Sequence, residues 1–186
     1  MNLDWKCVKE EDLVKDEWMH FKKKDYLFPD GNVYGPFYTY SIRSYVIVVA
    51  QDENGNFLCV RQFRQGIERQ TIEFVAGGIE ANQINLEQAQ KAAKRELREE
   101  TGYVSENWTY LYKVASHATL ADNQVYIFYA KNCRKEKEQD LDQTEFLTYS
   151  LLSPKEVETL ILEEKFEQAL HVLAWFLWKQ KVERCD

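Results

Sequence analysis

The chain predicts an α/β fold: a mixed sheet held between helices as an α/β/α sandwich, with small antiparallel strands ahead of it. Three observations point there. Short β-branched runs such as SYVIVVA at residues 44–50 interleave irregularly with stretches of helical periodicity. Tight turn signals, Phe28-Pro29-Asp30-Gly31-Asn32 and Asn54-Gly55, join neighbouring strands into hairpins. The composition, 45% hydrophobic and 30% charged over 186 residues, is that of a globular chain with material for a real core.

Residues 5–41 are polar and aromatic, and the turn at 28–32 is flanked by alternating runs, 24–27 and 33–42. They read as an antiparallel hairpin, a β appendage over residues 1–41 ahead of a main domain over 42–186. In that domain 44–50 is a buried strand, and Asn54-Gly55 turns the chain into a return strand over 57–61. Residues 71–75 form another strand, which Ala76-Gly77-Gly78 is expected to break. From Leu86 to Thr101 there is no Gly or Pro, and Leu86, Ala89, Ala93 and Leu97 make an apolar stripe at helical spacing. Gly102 stops that helix. Strands follow at 108–115, 124–131 and 145–151. Ser153-Pro154-Lys155-Glu156 opens a helix with a capping box, and 164–182 is a final amphipathic helix. Its Trp175 and Trp178 are expected to pack in the core.

Charge and cysteine usage exclude several roles. The net charge is −7 and no Lys/Arg run stands out from its acidic neighbours, which argues against a nucleic-acid partner. No apolar run is long enough to span a membrane, and residues 1–10 lack the apolar stretch of a signal peptide. Cys7, Cys59, Cys133 and Cys185 form no CxxC pair and read as reduced thiols of a cytoplasmic protein.

The chemistry concentrates in Arg95-Glu96-Leu97-Arg98-Glu99-Glu100-Thr101-Gly102. Glu96, Glu99 and Glu100 stand at i, i+3 and i+4, on one side of the helix and near its C-terminal end. Like charges repel at that spacing, and negative charge is disfavoured at that end. A hard divalent cation relieves both penalties; magnesium takes oxygen ligands and commonly shares one or two carboxylates with substrate phosphates. Arg95, four residues before Glu99, can hold that carboxylate. Upstream, Glu73-Phe74-Val75-Ala76-Gly77-Gly78-Ile79-Glu80 brings bare backbone beside the acidic face.

RELREETG at residues 95–102 resembles the core of the Nudix box, REUxEExG. IEFVAGGIE at 72–80 and VRQFR at 60–64 resemble the strand and loop of the ADP-ribose pyrophosphatase branch of that superfamily. One spacing departs: seventeen residues separate Gly77 from Arg95, where the family has thirteen. At the family spacing the box glutamate falls on Glu87.

The resemblance implies magnesium-dependent hydrolysis of the pyrophosphate of a nucleoside diphosphate sugar, with manganese an alternative metal. ADP-ribose is the first substrate. GDP-mannose, another such sugar, or a nucleotide-binding module without turnover are the alternatives. It implies metal ligation by Glu96, Glu100 and the Ala76 carbonyl, with Glu99 sharing or supporting. Arg64 meets a substrate phosphate, Gly77 lends backbone, and Asp122 and Arg43 are further substrate contacts. Glu73 reads equally as a substrate acceptor or a structural ion pair. The family's SPG-type loop maps to Ser116-His117-Ala118-Thr119, without its Pro and Gly, and His117 reads as packed or solvated. A general base is sought in the acidic segment 136–145, at Glu145 or Asp142, because a family glutamate position is Gln143 here. An aromatic residue from 26–45 is expected to stack the nucleobase, and the N-terminal strands to contact the partner in a homodimer.

Overall fold

The computed structural model describes residues 2–81 and 83–183, so Cys185 lies outside the described residues. The chain divides into two compact units: Met1–Ser44 with Ala115–Gln124, and Tyr45–Val114 with Val125–Asp186.

In the first unit, β1 (Lys6–Lys15), β2 (His20–Leu27) and β3 (Val33–Ser41) form an antiparallel sheet in that order. The β2–β3 hairpin is the one that the turn at 28–32 foretold: Gly31 takes a φ of 83° and the Asp30 carboxylate accepts the Asn32 N–H at 2.9 Å. β1 carries no alternating apolar pattern and was not expected. Charge pairs it instead: Glu10 meets Lys22 at 2.7 Å and Lys24 at 3.2 Å, and Glu11 meets Lys23 at 3.6 Å. The segment 115–124 joins this unit through a parallel bridge between Tyr40 and Ala121.

The second unit is built on β4 (Tyr45–Asp52), β5 (Phe57–Arg64), β6 (Arg69–Gly78), β7 (Tyr103–Val104), β8 (Asn107–Ala115), β9 (Gln124–Lys135) and β10 (Leu147–Leu152). The order is β10-β5-β6-β4-β9-β7, with β8 beside β9. β4 and β9 run parallel, while β10–β5, β5–β6, β4–β6 and β7–β9 are antiparallel, so the sheet is mixed. Alternation along β4 explains the layers. Val46, Val48 and Ala50 pack with Ala89, Ala93 and Leu97 of α1 (Leu86–Thr101). Ile47 and Val49 pack with Val157 of α2 (Pro154–Leu162) and Trp175 and Trp178 of α3 (Ala169–Trp178). A strand buried on both faces needs apolar residues throughout, which is what SYVIVVA supplies. Trp175 and Trp178 are core residues, as expected, set edge-on to Phe57 at 5.2 and 4.7 Å. Among the described residues no helix is long and apolar enough to cross a membrane.

α1 has the expected bounds. Asn85 caps it, accepting the Gln88 N–H at 2.9 Å, and Gly102 ends it at a φ of 73°. Three details differ from expectation. Leu86 is 47% exposed, so the buried stripe begins at Ala89. Ala76-Gly77-Gly78 do not break β6 but finish it, paired to β4 from Ile47↔Ala76 to Tyr45↔Gly78. The last helix begins at Ala169, not Glu164: Glu164 has a φ of 59°, the Lys165 N–H turns back to the Leu160 carbonyl at 2.8 Å, and Phe166 is buried against Phe74. α2 has its capping box.

Candidate active site

The last two turns of α1 lie against the end of β6. Glu96 and Glu100 are 4% and 2% exposed, and Glu99 is half-buried. The close approach depends on Gly77, where any Cβ would overlap the Glu96 carboxylate. The Ala76 N–H points to Glu100 Oε2 at 3.4 Å. Arg95 ties the group together, donating to Glu99 at 2.7 Å, to Glu96 at 2.6 Å and to the Gly78 carbonyl at 2.9 Å.

One guanidinium does not neutralise this cluster. Burial pushes Glu96 up to about 7; Arg95 opposes the shift, and the charges of Glu99 and Glu145 add to it. Glu100 is pushed well above the carboxylate range, first by burial, then by Glu96 and Glu145, against the Ala76 N–H and Arg64. Two buried carboxylates with this excess of negative charge suit a divalent cation. Among the described residues no three His, Cys, Asp or Glu side chains converge as a complete metal cage. The donors are hard oxygens, which suit a divalent cation that keeps water and phosphate oxygens in much of its shell.

The acidic segment 136–145 is pinned to the C-terminal end of α1. The Gln139 amide donates to the Glu100 carbonyl at 2.6 Å, and the Asp140 N–H to the Glu99 carbonyl at 2.9 Å. Glu145 is half-buried in a turn that starts at Asp142, whose N–H meets the Glu145 carboxylate at 3.0 Å. Glu145 is thus the member of the segment whose charge is felt at both Glu96 and Glu100, while the Asp142 side chain is exposed.

Arg64 ends β5 and grips Glu73 of β6 as a fork, Nε to Oε1 at 2.8 Å and Nη2 to Oε2 at 2.9 Å. Glu73 is fully buried and also accepts from Thr71 at 2.8 Å and Gln168 at 2.7 Å, with His171 Nε2 at 3.3 Å. Its oxygens meet these protein donors, and the ion pair with Arg64 is present. Burial would raise Glu73, but the hydrogen bond and charge of Arg64, with Thr71, hold it below its ordinary value. Arg64, Ala76, Gly77, Tyr45 and His171 border a recess of about 290 Å³. Tyr45 is an aromatic from the span where a base-stacking residue was sought.

The remaining candidates are placed as follows. Glu87 is an exposed residue of the first turn of α1, paired with Lys91 at 2.7 Å. Arg43 and Asp122 belong to the first unit: Arg43 lies over the Trp18 ring at 5.9 Å, and Asp122 accepts the Ser41 hydroxyl at 2.5 Å. His117 is exposed, and its carbonyl accepts the Leu120 and Ala121 N–H groups. His171 and Gln168 were missed; the signal was a lone histidine inside the otherwise apolar ALHVLAWFLW.

A family model described as NUDIX domain matches residues 41–176. Two curated relatives are ADP-ribose pyrophosphatases. That of Bacillus subtilis (strain 168) is 34% identical over 55% of this chain and 54% of its own length. That of Mycobacterium tuberculosis (strain ATCC 25618 / H37Rv) is 32% identical over 48% and 42%. A methanol dehydrogenase activator from Bacillus methanolicus is 31% identical over 69% and 68%. The chain thus spans about half the length of the two pyrophosphatases and two thirds of the activator. A crystal structure of an ADP compounds hydrolase shares the fold at a TM-score of 0.83 and 20% identity, over 100% of this chain and 98% of that one.

Proposed function

The chain belongs to the NUDIX domain family, and from that premise we propose that it hydrolyses the pyrophosphate of a nucleoside diphosphate sugar, ADP-ribose foremost. The products are a nucleoside monophosphate and a sugar phosphate. One observation carries the reading: Glu96 and Glu100 are buried side by side at Gly77 with their charge largely uncompensated. Glu96, Glu100 and the Ala76 carbonyl would hold magnesium or manganese, with Glu99 in support under Arg95. Bound there, the metal would neutralise the pyrophosphate and lower the pKa of a water.

The chain's own residues supply the rest. Among the described residues, the fork between Arg64 and Glu73 leaves Arg64 Nη1 uncommitted, and a phosphate oxygen is its natural partner. Glu145 accepts the proton of the attacking water as the P–O bond breaks and the other phosphate leaves. Asp142 holds the turn that presents Glu145. Gly77 keeps the wall beside the phosphates bare, and Tyr45 offers a ring for the base. Arg43 and Asp122 are proposed substrate contacts on the family resemblance alone. The N-terminal strands, residues 1–41, are proposed as the contact of a homodimer whose main domain spans 42–186. The free thiols Cys7, Cys59 and Cys133 are consistent with a cytoplasmic location.

Incubation with magnesium and ADP-ribose, ADP-glucose or GDP-mannose, followed by chromatography of the products, tests the reading. ADP-ribose is expected to yield AMP fastest. No monophosphate from any of them at high enzyme concentration, with binding still measurable, would leave a binding module in place of the enzyme.

A further inference from the structure

The lead-in and first turn of α3 hold three side chains against the β5–β6 pair. Glu167 pairs with Arg69 at the start of β6. Gln168 is the N-cap residue of α3 yet makes no side-chain cap bond; its amide goes to Glu73 Oε2 instead. His171, three residues on, accepts the Phe74 N–H at Nδ1 (3.1 Å), so the ring proton sits on Nε2, facing Glu73 Oε2. Burial pushes His171 down to about 4, so the ring is neutral near pH 7 and this donor role is set.

Core packing alone does not call for this arrangement. The neighbours Leu170 and Leu173 show what the helix uses to fill space. A buried imidazole forfeits its hydration, and an unused cap leaves a helix end less stable. The common recipient of both side chains is Glu73, and the function of Glu73 in the structure is to hold the Arg64 fork. With Thr71 and the fork on one side and Gln168 and His171 on the other, the carboxylate has one orientation in which every donor is met.

We propose that His171 and Gln168 are positioning residues: through Glu73 they fix the plane of the Arg64 guanidinium beside the recess at Ala76 and Gly77. The consequence for turnover rests on the pyrophosphatase reading; the geometric coupling does not.

Exchange of the Arg64 Nε–H, followed by nitrogen-15 NMR on the full chain, tests the coupling directly. In His171→Phe and in Gln168→Ala it is expected to quicken by about tenfold, as a local hydrogen bond loosens. His171→Gln, which can both accept and donate, restores protection. If His171→Phe fails to fold, Gln168→Ala carries the same measurement, since Gln168 is only half-buried. Unchanged exchange in the folded variants overturns the proposal. In turnover of ADP-ribose with magnesium, His171→Phe is expected to raise KM about tenfold with a smaller effect on kcat. The double variant with Arg64→Ala is expected to be no worse than Arg64→Ala alone. Additive losses would mean that His171 does not act through Arg64. Coupled exchange in a protein that hydrolyses no nucleoside diphosphate sugar would refute the hydrolase and leave the positioning role standing.

Discussion

Glu96 and Glu100 give opposite signs to stability and activity. Each has a folded pKa above the unfolded carboxylate value, so its contribution to stability is present below pH 4.5 and is lost as pH rises through the folded value. For Glu96 the window runs from 4.5 to about 7, which corresponds to a loss on the order of 3 kcal/mol. Without metal, Glu100→Gln is expected to raise the melting temperature at pH 8, by about 2–4 °C per kcal/mol relieved. The same change is expected to reduce turnover by more than about a hundredfold. Melting curves with and without magnesium at pH 5 and pH 8 check this; the gain from magnesium should be larger at pH 8 and vanish in the variant. The three glutamates were legible because they break the rules for a stable helix end. The partners of Glu73 were not, since Gln168 and His171 lie far from it in sequence and, like Thr71, are ordinary as residue types.

At the scale of the element, the bounds of α1 were legible from its apolar stripe and its C-terminal glycine, while the structure supplied the N-cap, Asn85. Asn85→Ala is expected to cost about 1 kcal/mol, the usual value of an N-cap. Glu87→Ala, which removes an exposed pair with Lys91, is expected to change stability by less than about 0.5 kcal/mol and leave turnover intact. Urea unfolding of both variants checks the contrast, and a large loss of activity in Glu87→Ala would return Glu87 to the site. β1 was not foreseen as a strand, and β6 was expected to break at its end, for definite reasons. β1 is matched to β2 by charge rather than by alternating apolar residues. β6 runs on through two glycines because β4 continues to pair with it and Glu96 needs the vacant space above Gly77.

At the scale of the molecule, the three-stranded sheet of the first unit contains no buried residue in β1, β2 or β3. The unit exposes Trp5, Val14, Trp18, Val33 and Tyr38. Such a sheet is poorly stabilised by itself and invites a second chain. Light scattering is expected to give the mass of two 22.1 kDa chains. Replacing Trp18 and Val14 together by glutamate is expected to shift that mass towards one chain. A single-chain mass for the unaltered protein at micromolar concentration would remove the dimer from the proposal.

The sequence by itself determined the mixed sheet, the bounds of the acidic helix and the identity of its three carboxylates. Each of these follows from local periodicity, capping chemistry or a repulsion visible within eight consecutive residues. Only the tertiary structure decided which other groups share the space. It brought the charge of Glu145 to bear on Glu96 and Glu100, paired Glu73 with Arg64 and α3, and left Glu87 on the surface. Those outcomes depend on strand register and on where a chain reversal returns a side chain, and no single segment encodes either.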